Sequence, residues 1–335
     1  MIDMAPFMIP DVPDEPECDM NAIDLPDRYG FDTNCDGIDG DIAQSVFVAS
    51  YGDDSFDGSR FEPKRTIQAA LDQASMDPTK TWVLVQEGLY DGPLTLVDGV
   101  SIAGGYELGW ARDGDGFSTL TGGNSVLKGT PTIRGTGIIT PTYLMNLEVR
   151  PEEQIPPGES VYTVALLDSP AVILERMFIL GGTAGNGLDG APGEPGDNGP
   201  RGGKGGDGKE DGGGSAGVQI RSTRIVIGQG GNGGRGGNGG PGGDGGPGGK
   251  GGKRDDDDGL GGDGGDGGKG GLGGTGGGGA GGPAYGIYSD ATMLVPPAEM
   301  TYIQGQGGFG GAGSGPMGQG APGASADMQV GEGAQ

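Results

Sequence analysis

Two adjacent stretches decide the fold, SVFVASYGDDSFDGSRFEPKRTIQAALDQA (residues 45–74) and TWVLVQEGLYDGPLTLVDGVSIAGGYE (residues 81–107). The first opens on a β-branched and aromatic run and breaks at a Gly/Asp loop. It then sets Ile67, Ala70, Leu71 and Ala74 at helical spacing behind Thr66, whose hydroxyl suits an N-cap. The second holds short strands separated by Gly and Asp turns, with Val83, Val85, Leu94, Leu96, Val100 and Ile102 at period two. A strand, one amphipathic helix and then a succession of brief strands are therefore predicted.

These residues resemble right-handed parallel β-helix proteins of the pectate-lyase-like superfamily, in particular a small secreted module of that group. The motifs that carry the resemblance are VFVASYGDDSFDGS, PKRTIQAALDQA, EGLYDGPLTL and GVSIAGGYE, which together cover roughly residues 46–107. It implies an all-β chain, a right-handed parallel β-helix with an N-terminal capping helix that blocks edge pairing and covers the first apolar interior. The motifs speak to fold and are nearly silent on activity.

Farther along, three segments read as successive rungs when aligned on a turn serine: VALLDSPAVILERMFILGG with Ser169, GVQIRSTRIVIGQGG with Ser222, and YGIYSDATMLVPPAEMTYIQGQGG with Ser289. Each leaves the scaffold at a glycine, namely Gly181, Gly228 and Gly305. The last two exits are near-copies, GQGGNGG at 228–234 and GQGGFGG at 305–311. Glycine-rich excursions that emerge stacked on one side are expected.

The first excursion has Gly at every third position from Gly187 through Gly208. Its short length, few prolines and anchoring at both ends argue against a collagen triple helix. The second, 228–282, is mainly Gly-Gly-X, with Asn232, Arg235 and Asn238 among the first X residues. A three-residue period suits the polyproline II conformation, which puts every X side chain on one edge and leaves bare glycine edges for close approach. Such polyglycine II bundles are similar to those of glycine-rich tail-fibre adhesins. The alternative is a disordered insert, because glycine loses the most backbone entropy on ordering. Ice binding is disfavoured by the mixture of Asp, Lys, Arg and Asn along the X edge.

Ahead of the strands, residues 1–44 are rich in Asp, Pro and Asn and read as an acidic linker. They hold the only two cysteines, Cys18 and Cys35, at a separation a disulfide closes readily, with two free thiols as the alternative. Within DTNCDGIDGD, the side chains of Asp32, Asn34 and Asp36 alternate ahead of Gly37, the pattern that wraps oxygen ligands around Ca2+. The Ile38 carbonyl and Asp39 or Asp41 would complete the shell. Ala43 stands where an EF-hand carries its bidentate Glu, so a single calcium loop, similar to dockerin-type and thrombospondin-type repeats, competes with a plain solvated acidic turn.

Composition narrows the function. A formal charge of −27 opposes nucleic acid and anionic membranes, and the chain contains no histidine, which removes Ser-His-Asp and Cys-His nucleophile systems. No stretch is long and apolar enough to span a bilayer. Among acidic candidates, Asp53, Asp54, Asp57 and the Arg112-Asp113-Gly114-Asp115 run lie in predicted loops, where nothing sets the carboxylate separation that glycoside chemistry needs. DDDD at 255–258 reads as solvated charge, and of Trp82 and Trp110 one is expected in the core and the other at an edge. The expected organisation is a linker at 1–44, the β-helix at 45–180, and last rungs with glycine-rich inserts at 181–335. The expected role is non-enzymatic, structural or adhesive, in an extracellular or cell-surface setting. Its partner would be a surface ligand such as a polysaccharide or a second copy, and a carbohydrate-active enzyme or sugar-binding module is the alternative.

Overall fold

In the computed structural model, the residues described are 14, 16–112, 118–121, 131–151, 155–189, 216–226, 228–236, 238, 284–289, 292–294, 300–303, 306, 308–312 and 325–330. The strands form three sheets. The first contains β1 (Ser45–Val48), β2 (Trp82–Gln86), β5 (Ser101–Tyr106), β8 (Thr142–Met145), β11 (Val172–Glu175), β13 (Ala216–Arg221) and β16 (Thr292–Leu294), side by side in that order. The second contains β3 (Leu89–Asp91), β6 (Ser118–Thr121), β9 (Leu147–Arg150), β12 (Phe178–Leu180), β14 (Thr223–Val226) and β17 (Met300–Ile303). The third contains β4 (Leu94–Thr95), β7 (Ile133–Thr136), β10 (Val161–Leu167), β15 (Ala284–Ser289) and β18 (Ser325–Val330). Neighbouring strands pair in parallel, as in Val46↔Val83, Ile179↔Ile225 and Val164↔Ile287.

Helix α1 (Ile67–Met76) forms where its spacing predicts it. Thr66 caps it, its hydroxyl accepting the Ala69 N–H at 3.3 Å. Ile67, Ala70, Leu71 and Ala74 are buried in one apolar cluster with Val46, Val83, Ile102, Leu144 and Val172 of the first sheet and with inward residues of the other two sheets.

The expectation of an all-β chain wound as a right-handed parallel β-helix is corrected here. Among the described residues, the strands lie in three parallel sheets that do not close on one another, and α1 shares the central core with them, so the arrangement has parallel sheets of the α/β type with little helix. Period-two burial and glycine turns specify that short strands form and which face is apolar. They carry no information on closure or handedness.

At β1 and β2 the first sheet is buried on both faces, which is why SVFV and WVLVQ read as nearly continuous apolar runs. Alternate residues Phe47, Trp82, Leu84, Ala103 and Met145 point away from the central core into a second cluster with Ile38, Tyr106 and Trp110. Residues 24–44, read from sequence as a linker, thus lie packed, with Asp24, Ile38 and Asp39 each 1% exposed. Trp82 and Trp110 both belong to this second cluster, where one of them was expected at an edge.

Between the first and second sheets the chain turns on single left-handed residues, Asn146 (φ 54°), Arg176 (φ 52°) and Ser222 (φ 42°). This corrects the serine alignment. Ser222 stands at that corner beside Arg176, whereas Ser169 follows β10 and Ser289 ends β15, both where the chain leaves the third sheet for the first. A turn serine marks any tight corner, so it cannot say which one.

Candidate functional site

After β12 and β14 the chain leaves the sheets into glycine, and together with residues that follow β17 these segments lie against one another in a single array. Gly181, Ala184 and Gly187 donate backbone N–H bonds to the carbonyls of Val226, Gln229 and Asn232, at 2.5, 2.9 and 2.6 Å. Gly230, Gly233 and Gly236 in turn donate to Gln306, Phe309 and Ala312, at 3.0, 2.7 and 3.1 Å. Every bond steps by three residues on both sides, the period of an extended three-residue turn.

Burial follows the same period. Thr183, Asn186 and Asp189 are exposed in the first segment, with Leu188 exposed off the period, Gln229, Asn232 and Arg235 in the second, and Gln306, Phe309 and Ala312 in the third. Three columns therefore cross the array: Thr183–Gln229–Gln306, Asn186–Asn232–Phe309 and Asp189–Arg235–Ala312. Their side chains tie neighbouring segments together. Asn186 Oδ1 accepts the Asn232 N–H at 2.9 Å, Asp189 Oδ1 accepts the Arg235 N–H at 2.7 Å, and Asn232 Oδ1 accepts the Phe309 N–H at 2.8 Å.

Glycine is required where the segments touch. A methyl group at Gly231 would overlap the Gly185 carbonyl, and one at Gly308 would overlap the carbonyls of Gly230 and Gly231. Gly228 lies against Gly182 in the same way, so the first exit is in register one residue beyond the predicted Gly181. Asn232, Arg235 and Asn238 share the exposed edge as the Gly-Gly-X period predicts. The remaining X positions of the second excursion, and the first excursion beyond Asp189, lie outside the described residues.

The acidic loop is only partly assembled. Asp32 Oδ1 and Asn34 Oδ1 both accept the Asp36 N–H, at 3.2 and 3.0 Å, and Asp32 Oδ2 accepts the Gly37 N–H at 2.9 Å, so Asp32, Asn34 and Asp36 share one turn at Gly37 (φ 90°). Asp36 spends its oxygens on the N–H groups of Ile38 and Ile42. Asp41 instead caps a short 3-10 helix (Ile42–Gln44), accepting the Ala43 N–H at 2.7 Å. Asp39 turns inward. Among the described residues, no three His, Cys, Asp or Glu side chains are placed to share a metal. Asp32, Asn34 and Asp36 are brought together at this turn, and the sequence-predicted Asp39 and Asp41 do not join them. Cys18 and Cys35 are joined by a disulfide with their Cα atoms 5.6 Å apart.

Asp39 meets Arg112 in a fully buried ion pair, Nε lying 2.6 Å from Oδ2, while Nη2 bonds both that oxygen and the Asp27 carbonyl. The Tyr106 hydroxyl donates to the Asp39 carbonyl at 2.5 Å. Burial pushes the Asp39 carboxyl up to about 7, against the pull of Arg112. Farther along, Arg176 Nη1 donates to the Arg28 carbonyl at 2.9 Å. Residues 24–44 are thereby strapped across the first sheet by two buried arginines. From sequence Arg112 belongs to a predicted loop, and the one available signal is a basic residue two positions after Trp110.

The acidic candidates for chemistry are occupied in turns. Asp54 accepts the N–H groups of Arg65 and Thr66 at 2.9 and 2.8 Å and the Thr66 hydroxyl at 2.9 Å. Hydrogen bonds from Ser55 and Ser59 hold Asp53 and Asp57 below the usual carboxylate range. A cleft of about 470 Å³ beside β1 is lined by Phe47, Arg60, Phe61, Gln73 and Lys80, with Asp57 its one carboxylate. Asp113, Asp115 and the DDDD run lie outside the described residues. Among the described residues, no helix is long and apolar enough to cross a membrane.

Comparison with protein families, curated proteins and solved structures finds no match to this chain. The resemblance noted for residues 46–107 rests on its own motifs.

Proposed function

We propose that this chain is a non-enzymatic structural or adhesive protein of an extracellular or cell-surface setting, whose parallel sheets carry a rigid glycine array as the presenting surface. The observation that supports this reading is the three-residue hydrogen-bond ladder between residues 181–187, 226–236 and 306–312. A flexible tether has no use for matched registers, whereas a contact surface gains by losing less entropy when it binds. Exposed columns of amide, charged and aromatic side chains at fixed spacing suit a repetitive partner such as a polysaccharide.

The disulfide agrees with an oxidising setting. Calcium at Asp32, Asn34, Asp36 and the Ile38 carbonyl belongs to the same proposal, with water completing the shell.

Binding to a panel of immobilised acidic and neutral polysaccharides, with and without calcium, tests the reading. Wild type is expected to bind at least one member without releasing product. Gly231→Val, which cannot keep the array, is expected to lose that binding while retaining the circular dichroism of the sheets. Product formation, or equal binding by Gly231→Val, would contradict the proposal.

A further inference from the structure

Among the described residues, the array has one open side. Its first two segments donate N–H groups outward to the next, but among the described residues Gly310, which would continue the donor series in the third segment, donates to no group. Beside it, Phe309 is 77% exposed. The surrounding chain is electrically unusual, because from Met300 through Ala326 there is no charged residue in a protein of net charge −27. The other segments carry charge on their exposed edge, at Asp189 and Arg235.

We infer that this neutral rim, Gln306 and residues 308–312, is a self-association edge that pairs with the same segment of a second copy of this chain. The inference rests on the array being ordered and does not depend on the adhesive role. Two molecules with this excess of acid repel each other over most of their surfaces, and the approach costs least where neither carries charge. A two-fold pairing of one segment with itself is self-complementary, so it closes as a dimer and does not run on into a fibre. The Gly310 N–H, which has no partner among the described residues, supplies a polar contact. Phe309 supplies an apolar anchor of the kind that dominates interface energetics. An edge with a backbone donor left unpaired among the described residues and no charged side chain lacks the usual protection against such pairing.

Sedimentation equilibrium of the full chain, at low and high salt, tests this. The expected result is a monomer–dimer equilibrium that tightens as salt rises, because screening removes the repulsion between acidic surfaces. Phe309→Lys and Gly310→Pro are each expected to weaken dimerisation by about tenfold or more. Proline removes the donor while keeping an extended backbone.

Amide exchange at Gly230 and Gly233, measured on the same samples, separates the two levels of the argument. Protected amides in a chain that stays monomeric at high salt, or a dimer indifferent to both substitutions, would overturn this inference alone. A monomer in which the Gly310 amide is also protected would do the same, its occupant being the chain's own glycine excursion. Fast exchange at Gly230 and Gly233 would remove the array itself, and this inference with it.

Discussion

Asn232 stands between its neighbours as both donor and acceptor: its N–H reaches Asn186 Oδ1 at 2.9 Å, and its own Oδ1 takes the Phe309 N–H at 2.8 Å. The residue therefore joins all three glycine segments through one side chain and one peptide. It also shows why Gly-Gly-X is not a linker composition here. The glycines allow contact, and the X residue fixes the register.

Replacing Asn232 with Ala removes the acceptor for Phe309 while leaving the Asn186 bond in place. The expected loss is roughly 0.5–1.5 kcal/mol, confined to local opening of the third segment. Exchange of the Phe309 amide should accelerate while amides in β2 and β5 are unchanged, whereas a shift in both would show that the ladder is not a local element.

Gly231→Ala introduces a methyl that overlaps the Gly185 carbonyl. Its expected cost is roughly 1–3 kcal/mol, by overpacking of two backbones. Gln229→Ala, on the exposed edge, serves as the control and should stay within about 0.5 kcal/mol of wild type. Thermal or denaturant unfolding of the two variants checks the ordering, and equal effects would contradict the contact.

The Asp39–Arg112 pair predicts an unusual pH dependence. Burial raises Asp39 to about 7 in the folded chain, so protonation favours folding. That contribution is full below about pH 4, the ordinary carboxyl value, and is lost as pH rises through about 7. Burial moves Asp24 in the same direction. Stability should thus increase on acidification across this window, with a slope of at most about 1.4 kcal/mol per pH unit from one group. Asp39→Asn should flatten the profile, and a wild-type profile that instead falls on acidification would contradict the assignment.

Calorimetry at millimolar calcium should give heat from the acidic loop, with a Kd of roughly 0.1–1 mM, typical of extracellular sites. Asp32→Ala should abolish it. Asp41→Ala should not, since Asp41 caps the adjacent 3-10 helix. Absence of heat in wild type would remove calcium from the account.

Local chemistry was legible in the sequence. Thr66 caps α1, its predicted face is buried, and the three-residue period places Asn232, Arg235 and Asn238 on one edge. What depends on tertiary context was not. An acidic, Pro-rich run reads as a linker because its apolar residues are few and aperiodic, yet Ile38 and Ile42 seat it on the outward Phe47 and Leu84, and Arg112 and Arg176 hold it there. Asp39 and Asp41 sit at calcium-loop spacing but have other partners, one a buried arginine distant in sequence and the other the turn that follows. Closure of the sheets was likewise beyond reach, because alternation reports which face of a strand is apolar and not how sheets meet.

The central claim is that the glycine segments form an ordered array and not a flexible insert. Amide hydrogen exchange resolved to single residues across 181–189, 228–236 and 306–312 tests it most directly. The account predicts slow exchange at Ala184, Gly187, Gly230, Gly233 and Gly236, and at Asn232, Arg235 and Phe309, whose N–H groups bond side chains. Complete exchange of these amides within the dead time of the measurement would contradict it.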